Sequence, residues 1–369
     1  MKIAVTGGHL TPALAVIEEL KKISGLTIIY IGRANSAEGD KSPSAESVVI
    51  PNLGLKFYAI STGRLQRRFS IHTIPSIGRI PFGMIQSLAI LAKERPNIIV
   101  SFGSYVAFPV VLAGWVLGIP SISHEQTISS GLANKMIAPF AKKIALAWEE
   151  SKKNFPEGKA VVVGNPIRKE ILNMKKIRST RPVIFITGGN QGAHVINDAV
   201  SGVLNELLEE YEIIHQTGGS EVYKDYERLK SSVSQLPKRL RNRYKVSKWL
   251  NTNELVKVLA RTSLIVGRSG ANTVSEVAAL KIPAIFIPIP WSAGNEQTMN
   301  AKVLQGTGAA VILPEDRLTP KRLLNTIDHI IKNYVSFKEK ARKSKTAINK
   351  NAARDFVVEI KKLVSDDIW

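Results

Sequence analysis

The chain of 369 residues contains no cysteine, which excludes disulfides and thiolate metal sites and suits a reducing compartment. No apolar run approaches the roughly 20 residues of a membrane span; the longest candidate, 105–122, is interrupted by Pro109, Gly114 and Gly118 and reads as a helix and a strand. The opening run Ile3-Ala4-Val5 breaks at once into Thr6-Gly7-Gly8, so no signal peptide is expected and the protein is expected to be cytoplasmic. The six histidines are nowhere spaced as a metal pair, and no Asp-x-Asp pair closes a strand. The Gly-x-Ser-x-Gly elbow of a hydrolase is absent, as is the Gly-x-Gly-x-x-Gly fingerprint of a dinucleotide oxidoreductase. Acidic residues are few. With 30 Asp+Glu against 51 Lys+Arg, the formal charge is +21, an excess that favours nucleic acid, an anionic membrane surface or a phosphorylated substrate. No zinc-finger, RNA-recognition or basic-zipper pattern accompanies it, so nucleic acid is not the expected ligand.

What is present is organised around 263–300. An apolar strand over 263–266 leads into Gly267-Arg268-Ser269-Gly270-Ala271-Asn272-Thr273, a helix follows through Leu280, and a second strand occupies 284–288. Small turn residues before a helix aim backbone N–H groups and the positive end of the helix dipole at an anion, and Arg268 adds charge. Glu276, in the first turns of that helix, is placed to accept the two vicinal hydroxyls of a ribose. The following loop, Asn295-Glu296-Gln297-Thr298-Met299-Asn300, gathers donors and acceptors suited to sugar hydroxyls. Diphosphate, ribose and sugar together describe a nucleotide sugar.

The same grammar recurs along the chain. A strand over 1–5 is followed by Thr6-Gly7-Gly8-His9, a helix that Pro12 opens and that runs to about Lys22, and a strand over 28–32. Strand 98–100, helix 106–117, strand 120–123 and helix 131–140 continue it. A second unit begins with strand 182–186, the loop Thr187-Gly188-Gly189-Asn190-Gln191-Gly192-Ala193 and a helix to about Glu210. Strand 213–216 and a strand ending at Trp249-Leu250 follow. This alternation predicts an α/β chain of two Rossmann-like domains facing each other across a cleft, with ligands at the carboxyl ends of parallel strands. The hinge is expected at Val163-Gly164-Asn165-Pro166, dividing 1–163 from 164–348, and a last helix over 349–364 within the terminal segment 349–369 is expected to pack back on the first domain.

His9, at a strand end, is a candidate general base or else the structural histidine of a tight turn. His124-Glu125-Gln126-Thr127 follows strand 120–123 directly and is either part of a site or a cap for the next helix. Between Gly63 and Leu91, Arg64, Arg67, Arg68 and Arg79 interleave with Phe69, Ile71, Ile74, Ile77, Ile80, Phe82 and Met84. Such a stretch either dips into an anionic bilayer or is core with a solvated basic face.

Taken in order, these motifs resemble the bacterial peptidoglycan N-acetylglucosaminyltransferases of glycosyltransferase family 28. The residues that carry the resemblance are Thr6-Gly7-Gly8-His9, Ser104-Tyr105, Gly118-Ile119-Pro120 with His124-Glu125-Gln126, and Gly164-Asn165-Pro166-Ile167-Arg168. It continues through Gly188 to Ala193, His215-Gln216-Thr217-Gly218, Arg268-Ser269-Gly270-Ala271 with Ser275-Glu276, and Gln297 with Asn300-Ala301. The resemblance implies a GT-B fold and transfer of GlcNAc from UDP-GlcNAc to undecaprenyl-diphosphate-muramoyl-pentapeptide, lipid I becoming lipid II with inversion. It implies UDP contacts from Arg168, Asn190 and the Leu250 backbone. Ala271, Asn272 and Thr273 would hold the diphosphate, Glu276 the ribose, and Glu296 with Gln297 the GlcNAc hydroxyls, with Thr6, Gly7, Gly8 and Thr127 lining the donor sugar. Acceptor contacts fall to His9, Ser104, Tyr105, Glu125 and Gln126. A membrane-facing patch of Arg64, Arg67, Arg68, Phe69, Ile71, Ile74, Phe82, Trp115 and Lys142 would place the protein peripherally on the cytoplasmic face of the cell membrane, with other cell-wall synthesis proteins as further partners. No cofactor is required by this reading, and a divalent metal such as Mg would assist without evident protein ligands. The first glycine loop is shorter than the family's, and Thr127, Asn190 and Glu296 depart from its pattern. A lipid glycosyltransferase, a UDP-GlcNAc 2-epimerase and a non-catalytic scaffold are the alternatives.

Overall fold

The computed structural model describes residues 1–35, 43–63, 78–189, 191–343 and 348–364. They form two compact units, Met1–Arg168 with Asn349–Trp369, and Lys169–Ile348. The stretch Val163-Gly164-Asn165-Pro166 therefore lies within the first unit. Two long-range bonds hold it there: Asn349 Nδ2 donates to the Val163 carbonyl at 2.9 Å, and His124 Nε2 meets the Gly164 carbonyl at 3.1 Å.

The first unit is built on β1 (Lys2–Thr6), β2 (Thr27–Gly32), β3 (Lys56–Ala59), β4 (Ile98–Ser101), β5 (Ser121–Glu125), β6 (Lys143–Leu146) and β7 (Ala160–Val162). All pair in parallel in the order β3-β2-β1-β4-β5-β6-β7. A parallel sheet covered on both faces needs apolar side chains on both, and β1 shows the period of two. Ile3 and Val5 join Val16, Leu20, Phe356 and Ile360 on one face, while Ala4 joins Ile99, Val106 and Val110 on the other. Phe356 and Ile360 belong to the helix Ala352–Lys361, so the end of the described chain completes the core of the first unit. The chain leaves β1 for β2 on one side and reaches β4 on the other, which makes the carboxyl ends of β1 and β4 the topological switch point.

The second unit contains β8 (Val183–Thr187), β9 (Glu212–Gln216), β10 (Tyr244–Ser247), β11 (Thr262–Gly267), β12 (Ala284–Phe286) and β13 (Ala310–Ile312), parallel in the order β10-β9-β8-β11-β12-β13. Its core gathers Ile184, Ile186, Leu207, Ile213, Val266 and Ile285 from sheet and helices, with Leu323, Ile327 and Ile330 packed on them. Its switch point lies between β8 and β11.

Several boundaries differ from the sequence reading. The first helix is Leu10–Leu20, two residues ahead of Pro12; proline sits in its first turn, where backbone N–H groups lack intrahelical acceptors in any case. β5 runs on through His124 and Glu125, because both pair with β6, opposite Ala145 and Leu146. The helix expected over 131–140 is only Leu132–Ile137. The helix expected up to Glu210 is two, His194–Ser201 and Leu204–Glu210, broken at Gly202, where an added Cβ would lie 2.7 Å from Pro320. Trp249-Leu250 lie beyond β10 rather than within it. Among the described residues, no helix is long and apolar enough to cross a membrane.

Candidate functional site

In the first unit the loops after β1, β2, β4 and β5 converge. Gly7 has φ +132°, and a Cβ there would fall 2.7 Å from the Phe102 carbonyl carbon. Only glycine permits this approach. It allows the Phe102 N–H to donate to the Thr6 carbonyl at 2.7 Å and the Gly8 N–H to donate to the Gly103 carbonyl at 3.2 Å. Gly103 and Ser104 both adopt left-handed backbone, turning the chain into the helix Ala107–Val116. Thr6 is fully buried, and its hydroxyl has no partner among the described residues.

His9 is the N-cap residue of the first helix and is half-buried. Burial is the largest influence on its imidazole and holds the pKa below the usual value; Glu125 and a hydrogen bond with the Phe102 backbone oppose this, and Arg33 adds to it. Neutral imidazole is the form a general base needs. Arg33, just past β2, was not singled out from sequence. Its Nε donates to the buried Glu46 at 2.8 Å, and its guanidinium also hydrogen-bonds Tyr105. The only signal for it was a charged residue directly after a strand. The pairing of β2 with β1 is what brings it beside His9.

Glu125 holds its own loop together. Its Oε1 accepts the Thr127 N–H and hydroxyl at 2.8 Å each, and its Oε2 accepts the Gly131 N–H at 2.8 Å and Asn134 Nδ2 at 3.0 Å. Gln126 leaves its buried Oε1 without a partner among the described residues. His124 is core: its ring meets Phe102 and Phe356, and burial pushes its pKa down to about 4. Arg168 closes the first of the two segments that make up this unit. The helices Ile80–Glu94 and Ala107–Val116 pack on each other and leave Phe82 54% and Trp115 57% exposed; Lys142, also exposed, follows Phe140, whose ring meets that of Trp115. Arg64, Arg67, Arg68, Phe69, Ile71 and Ile74 lie outside the described residues.

In the second unit the central feature is the helix Ala271–Leu280, entered from β11 through Arg268, Ser269 and Gly270. Its first intrahelical bond is from the Val274 N–H to the Gly270 carbonyl at 3.0 Å, so the first turn presents N–H groups and the positive dipole end. Ala271 is buried; Asn272, Thr273 and Glu276 form the half-exposed face. A second helix, Glu296–Gly306, is fastened alongside. The Ser269 hydroxyl donates to the Gln297 carbonyl at 2.8 Å, and Asn300 Nδ2 donates to the Ser269 carbonyl at 3.3 Å. Gln297 uses its carboxamide oxygen to accept the Ile289 N–H at 3.1 Å. Its Nε2 has no protein partner among the described residues, which leaves two donors. The structure thus sets the N-terminal turn of Ala271–Leu280 beside the Glu296–Gln297 pair. Arg268 is differently engaged: its guanidinium donates to the Ile287 carbonyl at 3.0 Å and pairs with Glu315 at 2.5 Å, so its charge is already matched.

Leu250 is half-buried, immediately before the helix Thr252–Arg261, whose capping box joins Asn251 and Glu254. Behind the β8 and β9 loops, Gly192 and Gly218 touch so closely that a Cβ on Gly218 would lie 2.1 Å from the Gly192 nitrogen. A buried network backs them: His215 Nε2 meets Asn197 Oδ1 at 2.9 Å, Asn197 Nδ2 donates to Asp225 at 2.9 Å, and His194 meets Asp225 at 3.0 Å. Of this network only His215 stood in a sequence motif. A cavity of about 350 Å³ opens beside it, walled by Gln191, His194, Tyr223 and Asp225. Asn190 lies outside the described residues. Among the described residues no three His, Asp or Glu side chains stand together as a metal site.

Comparison with known proteins follows the same division. Residues 5–146 match the glycosyltransferase family 28 N-terminal domain and 183–359 its C-terminal domain. The chain is 34% identical over 339 residues to the UDP-N-acetylglucosamine–N-acetylmuramyl-(pentapeptide) pyrophosphoryl-undecaprenol N-acetylglucosamine transferase of Clostridium kluyveri, covering 88% of this chain and 90% of that one. It is 32% identical to the protein of the same name from Clostridium novyi, over 98% of each. Among solved structures, MurG of Acinetobacter baumannii superposes with a TM-score of 0.71 at 25% identity, over 98% of this chain and 99% of that one. The UDP-GlcNAc 2-epimerase of Neisseria meningitidis reaches 0.65 at 15% identity, over 98% and 100%, a likeness of fold alone. Glycine-gated loops at the ends of parallel strands in two units, each matched by its own domain of the family, agree with identity across nearly the whole chain: it belongs to glycosyltransferase family 28, with the GT-B fold, among the UDP-N-acetylglucosamine–N-acetylmuramyl-(pentapeptide) pyrophosphoryl-undecaprenol N-acetylglucosamine transferases.

Proposed function

We propose that this protein transfers N-acetylglucosamine from UDP-GlcNAc to the C4 hydroxyl of the muramoyl residue in undecaprenyl-diphosphate-linked muramoyl-pentapeptide, forming lipid II from lipid I. The observation that carries the reading is the fastening of Glu296–Gly306 to the start of Ala271–Leu280 through Ser269, Gln297 and Asn300. It brings the Gln297 amide next to the N–H groups of the helix start, an arrangement that suits a sugar's hydroxyls beside a diphosphate, the order in which a nucleotide sugar presents these groups. The muramoyl hydroxyl attacks the anomeric carbon, His9 takes its proton, and UDP departs with inversion. Charge developing on the leaving diphosphate is met by the N–H groups at Ala271, Asn272 and Thr273. Arg268 supports that turn from behind through its bond to the Ile287 carbonyl. The chemistry as proposed needs no resident metal; Mg added with the donor would act on the diphosphate. The test is transfer of labelled GlcNAc to a soluble-chain lipid I analogue, beside a lipid acceptor lacking muramic acid. Product with the lipid I analogue alone is expected. Binding of UDP-GlcNAc without transfer to either acceptor would overturn the reading and direct attention to epimerisation.

The acceptor is a membrane lipid, and the exposed Phe82 and Trp115 with Lys142 are proposed as the described part of a surface that rests on an anionic leaflet at the cytoplasmic face. The double variant Phe82→Ser, Trp115→Ser should reduce co-sedimentation with phosphatidylglycerol vesicles about tenfold or more, since each buried aromatic contributes roughly 1.5–3 kcal/mol. Turnover on a water-soluble acceptor should stay unchanged. Undiminished sedimentation would exclude this surface.

A further inference from the structure

Trp291 stands out among the described aromatic residues. Its side chain is 76% exposed, against 59% for Trp249, 57% for Trp115 and 6% for Trp148. Its ring makes no stacking or cation contact, and its indole N–H has no hydrogen bond among the described residues. An indole left in water forgoes the stabilisation its burial would bring, so an exposed tryptophan on an ordered turn asks for an occupant.

The backbone that carries it is well fixed. The Ser292 N–H donates to the Ile289 carbonyl at 3.2 Å, closing a β-turn with Pro290 and Trp291 at its corners. Proline in the first corner presets φ and stiffens the turn. A second turn follows, the Asn295 N–H donating to the Ser292 carbonyl at 2.9 Å. Both ends of the first turn are tied to one residue. The Ile289 N–H donates to the Gln297 carboxamide oxygen at 3.1 Å, and the Ser292 hydroxyl accepts the Gln297 N–H at 3.4 Å. Trp291 therefore sits at the corner of a turn whose two ends are bonded to Gln297, the residue whose Nε2 donors are unused.

From this we infer that Trp291 covers the apolar face of the N-acetylhexosamine ring of the donor, while Gln297 takes the hydroxyls at its edge. The inference rests on the donor reading of this unit and adds a specificity-determining residue to it. A pyranose has hydroxyls around its rim and C–H bonds on its faces, and those C–H bonds meet the electron-rich face of an indole favourably. A ring held between an edge donor and a flat aromatic face is distinguished from the bare nucleotide by contacts that UDP does not possess. Because the turn is rigid beforehand, little ordering is left to oppose binding.

The experiment compares UDP-GlcNAc and UDP binding by titration calorimetry on the full chain, for wild type, Trp291→Ala and Trp291→Phe. Trp291→Ala should weaken UDP-GlcNAc about tenfold and leave UDP unchanged, and Trp291→Phe should recover most of the loss. The residue is exposed, so an unaltered melting temperature is expected alongside. Equal effects of Trp291→Ala on both ligands, or no effect on either, would overturn the inference while leaving the donor reading intact. A wild-type protein that binds neither UDP nor UDP-GlcNAc would overturn the donor reading and the inference with it.

Discussion

Replacing Glu276 by alanine should weaken UDP and UDP-GlcNAc binding alike, by roughly 30- to 150-fold, the loss expected when about 2–3 kcal/mol of charge-assisted hydrogen bonding is removed. The argument starts from helix geometry. Asn272 and Glu276 are four residues apart and Thr273 and Glu276 three, so all three share a face of the helix Ala271–Leu280. That face is the half-exposed one, Val274, Ser275 and Val277 being buried against the unit. At 1.5 Å per residue the carboxylate stands about 6 Å along the axis from the first turn, a spacing that suits a ribose attached to a diphosphate held at the helix start. The ribose is common to both ligands, so both must lose affinity together. Loss of a negative charge near a diphosphate offsets part of the effect, which is why the expected range stops short of two full hydrogen bonds. Calorimetric titration of both ligands provides the check, and unchanged UDP affinity would remove Glu276 from the donor site.

Changing His9 to alanine should act on a different quantity. Turnover should fall by roughly 10²- to 10⁴-fold, the usual contribution of a positioned general base, with donor affinity little altered. The pH dependence gives the sharper result. Burial lowers the His9 pKa, with Arg33 adding to the effect and Glu125 opposing it. The neutral base form therefore persists on the acid side of the ordinary imidazole midpoint of about 6.5. As pH falls, kcat/KM should hold through that midpoint and decline only below it, and His9→Ala should lack this limb. A wild-type limb above the ordinary midpoint, or a variant that keeps both the limb and its turnover, would assign the proton to another group. Together the two substitutions separate binding from chemistry: Glu276→Ala is read in affinity, His9→Ala in rate.

Much of this arrangement was legible beforehand because its signals are local. Alternating apolar strands and amphipathic helices announce a parallel α/β sheet wherever they occur. A glycine loop between strand and helix marks a tight turn and a helix start in a handful of residues. Thr6-Gly7-Gly8-His9 and Gly267 through Thr273 were readable for that reason, and the structure places both at the carboxyl ends of their sheets. Errors of boundary had equally definite causes. His124-Glu125 looked like a polar loop because both residues are hydrophilic, yet ladder pairing with β6 draws them into β5, and buried partners satisfy them.

By itself, then, the sequence determined the two-unit α/β architecture, the glycine loops and the strand–loop–helix order on which the proposed donor residues lie, since each depends on side-chain period, turn chemistry and helix starts within short windows. Tertiary structure alone decided which polar groups remain available. Arg268, a donor candidate by position, is matched by Glu315; Glu125, an acceptor candidate, spends both oxygens on its own loop. Arg33 reaches the neighbourhood of His9 only because β2 lies beside β1. Trp291 is carried at the corner of a turn whose two ends Gln297 holds. In each case the deciding partner comes from another element or the far side of a turn, and a charge or a hydrogen-bonding group is spent or spared by what folding places beside it.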